Sequence, residues 1–203
     1  MKVIIIGAGQ HGQVAKNIVQ LDKRLKFSGF LDNFHKPDSQ SQVLGKIAEF
    51  PKWKKNNCYF YVAFGDNAKR KAIFTRLAKT GSRFASLVHP RAVIEPGVIL
   101  GKSVFVGAGT YINVGSLIGD NVLINNGCIV EHDNQIGSHA QLAPGVITGG
   151  GAKIGQNAFL GLGAIIRDHV AVGTNATVGM GSVITKNVAD NVVIYNKLTP
   201  IIK

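Results

Sequence analysis

The sequence contains little that would place the protein outside a reducing compartment. Its two cysteines, Cys58 and Cys128, cannot form a disulfide framework, so both are predicted to be free thiols. No signal peptide is recognisable before the first apolar run, Val3–Ile6, and that run is far too short to cross a membrane. We therefore expect a cytoplasmic protein without a membrane partner.

Aromatic residues (7%) and charged residues (17%) are also scarce, whereas glycine occurs 25 times in 203 residues. Many glycines and few aromatics indicate repeated tight turns around a thin core. Residues 1–85 hold 16 Lys/Arg against 5 Asp/Glu, and residues 86–203 hold 7 against 6. This basic excess is either a solvated surface or an attraction for anions such as phosphorylated small molecules. The basic residues are scattered and lack an aromatic-rich signature, so we expect no nucleic-acid partner.

A six-residue period runs through the second part of the chain. Counted in steps of six from Val88 to Ile184, sixteen of seventeen positions are Ile, Leu or Val, and Thr148 is the exception. Four residues after each aliphatic comes a small or β-branched residue, with Asn134 as the misfit. Such a period predicts short strands that form the three sides of a triangular coil, with three repeats in each coil. The aliphatic residue points inward, and the glycine that often follows it is expected to permit the turn.

This period resembles that of the hexapeptide-repeat acyltransferase superfamily. The resemblance implies a left-handed parallel β-helix, a homotrimer, and active sites between neighbouring prisms. We accordingly divide the chain into an α/β domain at residues 1–85 and an all-β left-handed parallel β-helix at residues 86–203. The alternative is a non-catalytic β-helix that binds nucleotides.

The segment at residues 1–85 has the pattern of half a Rossmann unit. A buried strand at Val3–Ile6 precedes a Gly-x-Gly-x-x-Gly turn, residues 7–12, and Val14, Ile18 and Leu21 indicate an amphipathic helix. Further strands are predicted at Phe27–Leu31 and Tyr59–Phe64, and a helix at Lys69–Thr80. The turn and helix N-terminus suit a phosphate. The ligand could be a nucleotide-sugar or a dinucleotide, and a purely structural turn is the third possibility.

Together these segments resemble the sialic acid O-acetyltransferase and nucleotide-sugar N-acetyltransferase family over nearly the whole length. The motifs are residues 6–14 around the glycine turn, 31–33 after the second strand, 63–67 with Arg70, His89–Pro90, and 129–133 in the β-helix. The resemblance implies transfer of an acetyl group from acetyl-coenzyme A to a nucleotide-linked amino sugar of the UDP-4-amino-4,6-dideoxy type, for glycan biosynthesis. O-acetylation of a sialic-type sugar is the alternative.

The same resemblance assigns roles to individual residues. His132 is the general base and the adjacent Asp133 orients it or raises its basicity. The nucleotide-sugar site comprises Gly9, Gln10, His11, Asp32, Asn33 and Gly65. Leu162 and Met180 lie along the coenzyme A path. The family's second histidine is replaced by Gln141 here, with His139 two residues away as the alternative, and the tail at residues 195–200 lacks the family's usual ending.

The expected chemistry needs neither a metal nor a covalent intermediate. A neutral imidazole with a pKa near 6.5 can accept the proton of an amine or hydroxyl at pH 7. Either Asp133 or Glu131 could stabilise the imidazolium, and a backbone N–H of a glycine-rich coil is a plausible oxyanion donor. The histidines lack zinc-site spacing, so no metal is expected. For His89, His139 and His169 we favour the interpretation that they are inert in the reaction.

Overall fold

The computed structural model describes residues 1–35, 42–54 and 56–195, and it contains two regions joined by a buried hydrophobic cluster. The first is a five-stranded parallel sheet in the order β3-β2-β1-β4-β5. Its strands are β1 Lys2–Ile6, β2 Lys26–Leu31, β3 Val43–Gly45, β4 Tyr59–Val62 and β5 Arg83–Phe84. Its helices are α1 Gln10–Leu21, a 3₁₀ turn Ile47–Glu49, α2 Phe50–Lys54 and α3 Asn67–Ala78.

This N-terminal sheet is larger than the half Rossmann unit expected from the sequence. The three predicted strands and two predicted helices are present, but β3, the 3₁₀ turn, α2 and β5 were not anticipated. The predicted face of α1 was partly wrong, because Val14 and Leu21 are 46% and 48% exposed. The helix instead buries Ala15, Ile18 and Val19, so Ala15 is buried in place of the larger Val14 that was expected.

The second region is the left-handed parallel β-helix predicted by the six-residue period. Each strand pairs in parallel register with the equivalent strand of the next coil, as Leu123 does with Phe105 and Gln141. The described residues of this region form two-residue strands, β6 to β23 in chain order: Leu87–Val88, Val93–Ile94, Ile99–Leu100, Phe105–Val106, Tyr111–Ile112, Leu117–Ile118, Leu123–Ile124, Ile129–Val130, Gln135–Ile136, Gln141–Leu142, Ile147–Thr148, Lys153–Ile154, Phe159–Leu160, Ile165–Ile166, Ala171–Val172, Thr177–Val178, Val183–Ile184 and Val193–Ile194.

These strands form the three sides of the prism. The domain-facing side contains β6, β9, β12, β15, β18, β21 and β23, and its outward residues Leu87, Phe105 and Leu123 lie in one buried cluster with residues of the N-terminal sheet. The apolar side contains β7, β10, β13, β16, β19 and β22. The polar side contains β8, β11, β14, β17 and β20. On the apolar side the outward residues are Val93, Tyr111, Ile129, Ile147, Ile165 and Val183.

The sides meet at three vertices, each named here by one of its residues. The chain passes from the apolar to the polar side at the His132 vertex, and from the polar to the domain-facing side at the Asn121 vertex. It passes from the domain-facing to the apolar side at the Leu162 vertex. In a triangular coil, the His132 vertex therefore lies opposite the domain-facing side.

The glycines that follow the inward aliphatics have a different role from the one predicted. The left-handed residue of each turn comes three positions after the inward aliphatic, as at Asn121 (φ 58°), Asp133 (φ 58°) and Gly163 (φ 63°). Gly137 and Gly161 do not have positive φ. A Cβ on either would lie 2.6 Å from a backbone nitrogen of the next coil, so these glycines are needed for close stacking.

The prism core is formed by the predicted inward residues. From Val104 to Ile184 it contains both the aliphatic and the small positions of the repeat, including the free thiol Cys128. A separate buried cluster joins the two regions, with Val3, Tyr61 and Ala85 against Leu87 and Phe105. The domain boundary between residues 85 and 86 stays an interpretation, because the hydrophobic core is continuous across it.

Candidate active site

The glycine turn after β1 opens onto the first turn of α1. Gly7 has a φ of 104°, and a Cβ on Gly12 would lie 2.1 Å from the carbonyl oxygen of Gly7. Gly9 caps the helix, and a Cβ there would meet no atom within 4 Å. Gly9 and Gln10 are exposed, and the first amides of a helix have no intrahelical acceptor. The turn thus combines two conformationally required glycines with an open position suited to an anion.

Asp32 follows β2 and lies beside this turn. One carboxylate oxygen accepts from the amide of Ala8 at 2.8 Å, and the other accepts from the amides of Phe34 and His35 at 2.7 and 2.9 Å. Burial alone would raise the pKa of Asp32, but these bonds outweigh it and lower the pKa to about 2. The adjacent Asn33 is exposed and its side-chain oxygen accepts from the amide of Ile47. Asp32 is therefore ionised at pH 7, and it holds the glycine turn in place through the amide of Ala8.

His11 points from α1 into the contact between the two regions. Its Nε2 is 2.9 Å from the hydroxyl of Tyr61, and its ring is edge-on to Phe105 of the β-helix, with centroids 5.0 Å apart. Burial, and then the positive charge of Arg70, lower the pKa of His11 to about 4. The imidazole is consequently neutral at pH 7.

Gly65 lies between β4 and α3, in a loop held to the β-helix by Arg70. The Arg70 side chain is fully buried and donates to the carbonyl oxygens of Phe64, Asn121 and His139 and to the side-chain oxygens of Asn67 and Gln141. Burial lowers its pKa to about 10, so it keeps its charge at pH 7. A Cβ on Gly65 would meet no atom within 4 Å, and the residue opens onto a cleft of about 370 Å³.

His132 and Asp133 form an ion-pair geometry at the His132 vertex. Nδ1 of His132 is 2.8 Å from Oδ2 of Asp133, and both side chains are more than half exposed. The other ring nitrogen, Nε2, faces Gly150 in the next coil, where a Cβ would lie only 2.5 Å away. The amide of Gly150 has no hydrogen-bond acceptor among the described residues. The vertex thus presents an oriented imidazole nitrogen next to an unused backbone donor.

The structure distinguishes Asp133 from Glu131 as the partner of this histidine. Glu131 accepts instead from the side-chain amide of Asn113 at 2.9 Å. The misfit Asn134 is fully buried, and its amide nitrogen donates to the carbonyl oxygens of Glu131 and Gly149 at 2.8 and 2.9 Å. The interior asparagine therefore ties the turn that carries His132 to the coils around it.

The residues expected along the coenzyme A path lie at two different places. Leu162 and Met180 occupy equivalent positions in successive coils at the Leu162 vertex, and they are 53% and 75% exposed. Gln141 is on the domain-facing side, where it accepts weakly from Arg70 at 3.4 Å. His139 is buried at the Asn121 vertex, and burial, Lys71 and Arg70 lower its pKa to about 4. The contact of Gln141 or His139 with coenzyme A stays a prediction.

Apart from Gln141 and His139, the candidate residues fall into three groups within one chain. Gly9, Gln10, His11, Asp32, Asn33 and Gly65 surround the carboxyl ends of the first sheet, which lies on the domain-facing side. Leu162 and Met180 lie at one end of the apolar side, and His132 with Asp133 lies at its other end. The chain after residue 195, whose atypical ending was noted in the sequence, lies outside the described residues.

Three residues that matter here were missed or left without a role by the sequence. Arg70 was noted only as part of a motif, and the buried partner of His11, Tyr61, carried no signal. Gly150 could have been found, because it lies one full coil after His132 in the repeat.

The residues that the structure describes contain no group of three potential metal ligands. In the same part of the chain, no helix is long and apolar enough to span a bilayer.

Comparison with family models divides the chain in the same way as its architecture. A model of the PglD N-terminal domain matches residues 2–77. A model of the hexapeptide repeat of succinyl-transferase matches residues 91–114, 97–132 and 151–186.

Three proteins with related sequences or structures are acetyltransferases by name. The chain is 27% identical over 110 residues to UDP-N-acetylbacillosamine N-acetyltransferase of Bacillus subtilis (strain 168), over 52% of this chain and about half (51%) of that protein. The acetyltransferase domain of PglB from Neisseria gonorrhoeae FA1090, solved with acetyl coenzyme A, has a TM-score of 0.91 at 28% identity, covering 96% of both chains. A variant of perosamine N-acetyltransferase from Caulobacter crescentus, solved with CoA and GDP-perosamine, has a TM-score of 0.91 at 31% identity, covering 97% of this chain and 94% of that one.

Proposed function

This chain belongs to the sialic acid O-acetyltransferase and nucleotide-sugar N-acetyltransferase family of hexapeptide-repeat proteins, and we propose that it N-acetylates a nucleotide-linked amino sugar with acetyl-coenzyme A. The observation that carries this proposal is the His132–Asp133 pair, whose free ring nitrogen lies against Gly150, a residue with an unused backbone N–H. The three relatives described above are named for acetyl transfer, and those from B. subtilis and C. crescentus for N-acetylation of a sugar, which favours an amine acceptor.

The vertex supports direct transfer without an acetyl-enzyme. The sugar amine attacks the thioester carbonyl carbon while Nε2 of His132 takes a proton from the nitrogen. The Gly150 N–H donates to the developing oxyanion. The carbon–sulfur bond then breaks, and the imidazolium returns the proton to the leaving thiolate. The Asp133 carboxylate holds Nδ1–H, which sets the tautomer and stabilises the transient positive charge.

The nucleotide is proposed to bind at the glycine turn. Gly9 and Gln10 offer helix-terminal amides to the diphosphate, and His11, Asn33 and Gly65 surround it at the carboxyl ends of β1, β2 and β4. Asp32 holds the turn through Ala8. As the ligand we propose a UDP-linked 4-amino-4,6-dideoxy sugar used in glycan assembly.

The site is proposed to be completed by a second copy in a homotrimer. Within one chain, His132 lies at the vertex opposite the side that holds the nucleotide-binding region, so the two cannot share a substrate. Between the His132 and Leu162 vertices, the outward residues of the strands are apolar except for Tyr111, and these strands end at the two vertices. A threefold arrangement with the apolar sides around the axis places the His132 vertex of one copy beside the Leu162 vertex of the next. Leu162 and Met180 would then border the coenzyme A path.

A cytoplasmic location is proposed on the state of the thiols. Cys58 and Cys128 are both free and buried, and burial raises the pKa of each, which keeps them unreactive.

The reaction is tested by release of free coenzyme A, measured with a thiol reagent, across UDP-, GDP- and CMP-sugars with amino or hydroxyl acceptors. Turnover with a 4-amino sugar nucleotide, lost in His132→Ala but kept in His169→Asn, supports the proposal. His169 is a matched control because it lies two coils from the Asp133 position at the same vertex, and asparagine tolerates its φ of 55°. Turnover only with hydroxyl acceptors, or unchanged turnover in His132→Ala, would contradict it.

A further inference from the structure

The hydrogen bond between His11 and Tyr61 determines which nitrogen of His11 carries its proton. Tyr61 is fully buried in β4, and the one hydrogen-bond partner of its hydroxyl among the described residues is Nε2 of His11, at 2.9 Å. Burial raises the pKa of Tyr61 far above its ordinary value, so the hydroxyl keeps its proton at every relevant pH. This proton must be donated or left unsatisfied in the core.

Donation from Tyr61 is strongly preferred on energetic grounds. A buried donor without an acceptor costs about 1–3 kcal/mol. If Nε2 of His11 carried the proton instead, the Tyr61 hydroxyl would accept it, and its own hydrogen would have no acceptor among the described residues. Nε2 is therefore the acceptor of the pair.

We infer that Tyr61 is a positioning residue that fixes His11 in the Nδ1–H tautomer, so that His11 presents a neutral N–H donor to the nucleotide-sugar. This inference rests on the proposed function for the identity of the ligand. Nδ1 of His11 has no hydrogen-bond partner among the described residues. The acceptor it suits is a phosphate or hydroxyl oxygen of the substrate, adjacent to the glycine turn.

The surroundings of His11 hold the ring in this orientation. The Phe105 ring of the β-helix lies edge-on to the imidazole. The Tyr61 ring is tilted relative to the imidazole, and the two ring centroids are 6.0 Å apart. With a pKa of about 4, His11 does not become a cation at pH 7. The site therefore discriminates by hydrogen-bond direction rather than by charge.

The tautomer is measured directly by nitrogen NMR of the protein labelled with ¹⁵N-histidine, with His11→Gln used to assign the signal. We expect the Nδ1–H pattern for His11 in the wild type and a shift toward Nε2–H in Tyr61→Phe. Tyr59→Phe is a matched control, because Tyr59 lies two residues earlier on the same strand and has no hydrogen bond to His11. An Nε2–H pattern in the wild type, or no change in Tyr61→Phe, would overturn the inference.

A binding measurement complements the spectrum and remains informative even if no acetyl acceptor is found. If the competent tautomer falls to about one fifth of the population, the Kd for the nucleotide-sugar rises about fivefold. Calorimetry with UDP and with UDP-linked amino sugars should show this rise in Tyr61→Phe but not in Tyr59→Phe. The KM for the nucleotide-sugar should rise equally, without a matching rise in the KM for acetyl-coenzyme A. Unchanged affinity in Tyr61→Phe for all these ligands counts against the inference.

Discussion

An alanine at position 150 would collide first with the proposed base. Its Cβ would lie 2.5 Å from Nε2, 2.7 Å from Cε1 and 3.2 Å from Cδ2 of His132, and these three are the nearest atoms it would meet. Ordinary contact between such atoms needs about 3.5 Å, so the imidazole must move by about 1 Å. Because the His132 side chain is 53% exposed, it can rotate away into solvent.

The cost should therefore appear in catalysis rather than in stability. An off-rotamer side chain costs about 0.5–1.5 kcal/mol, which bounds the loss in unfolding free energy for Gly150→Ala. A displacement of about 1 Å can lower a rate about 10²-fold, and complete loss of a general base about 10²–10⁴-fold. We expect kcat for thiol release to fall at least 10²-fold while the urea midpoint changes little.

A double-mutant cycle separates displacement of His132 from blockage of the acetyl group. In a His132→Ala background the alanine at 150 meets no imidazole, so the double variant should be as active as His132→Ala alone. A further loss in the double variant would show that the new methyl group obstructs the substrate. A kcat within about threefold of wild type in Gly150→Ala would refute the proposed position of Nε2 in the reaction.

Three other perturbations test the supporting structure. Arg70→Ala leaves several buried carbonyl oxygens without a hydrogen-bond donor, so it should lower the free energy of unfolding by about 3 kcal/mol or more in urea titrations. A loss below about 1 kcal/mol would contradict the conclusion that Arg70 holds the first region to the β-helix. The depressed pKa of Asp32, about 2 against 3.8 for an ordinary aspartate, contributes roughly 2 kcal/mol that is fully present above pH 4 and lost as the pH falls through 2. The difference in free energy of unfolding between the wild type and Asp32→Asn, measured by urea titration, should accordingly become smaller below pH 4. A difference that does not change with pH would contradict this prediction. Ile165→Arg on the apolar side should give a one-chain mass in light scattering while Leu117→Arg on the polar side stays trimeric; equal masses would contradict the proposed assembly.

The β-helix could be predicted in detail because its sequence repeats the physical constraint at every step. The large inward residue recurs every six positions and is almost always aliphatic, so an error in the register would have been visible in the count from Val88 onward. Thr148 and Asn134 departed from the pattern, and the structure shows that both are buried polar groups that hydrogen-bond to backbone carbonyls. The role of the glycines that follow the inward aliphatics was harder to predict. These glycines allow the coils to stack closely, whereas the residue with left-handed backbone conformation comes two positions after each of them.

The contacts of the site that could not be predicted from the sequence join residues far apart along the chain. The His132–Asp133 pair is adjacent in sequence, so its hydrogen bond could be anticipated. Tyr61 is 50 residues from His11, and Gln141 is 71 residues from Arg70, and no periodicity links either pair. Their contacts depend on how the first sheet packs on the prism, which the sequence pattern does not encode.

Mixed trimers test most directly the central claim that His132 of one copy acts on a sugar bound by the next. His132→Ala chains keep the nucleotide pocket, and Gly65→Trp chains keep the base but fill the open space at residue 65. Neither homotrimer should release coenzyme A. In trimers assembled from equal amounts of both, a site is active when an intact pocket meets an intact neighbouring His132, so about one quarter of wild-type activity should return. No activity in the mixed trimers would show that pocket and base belong to the same chain, and would contradict the account.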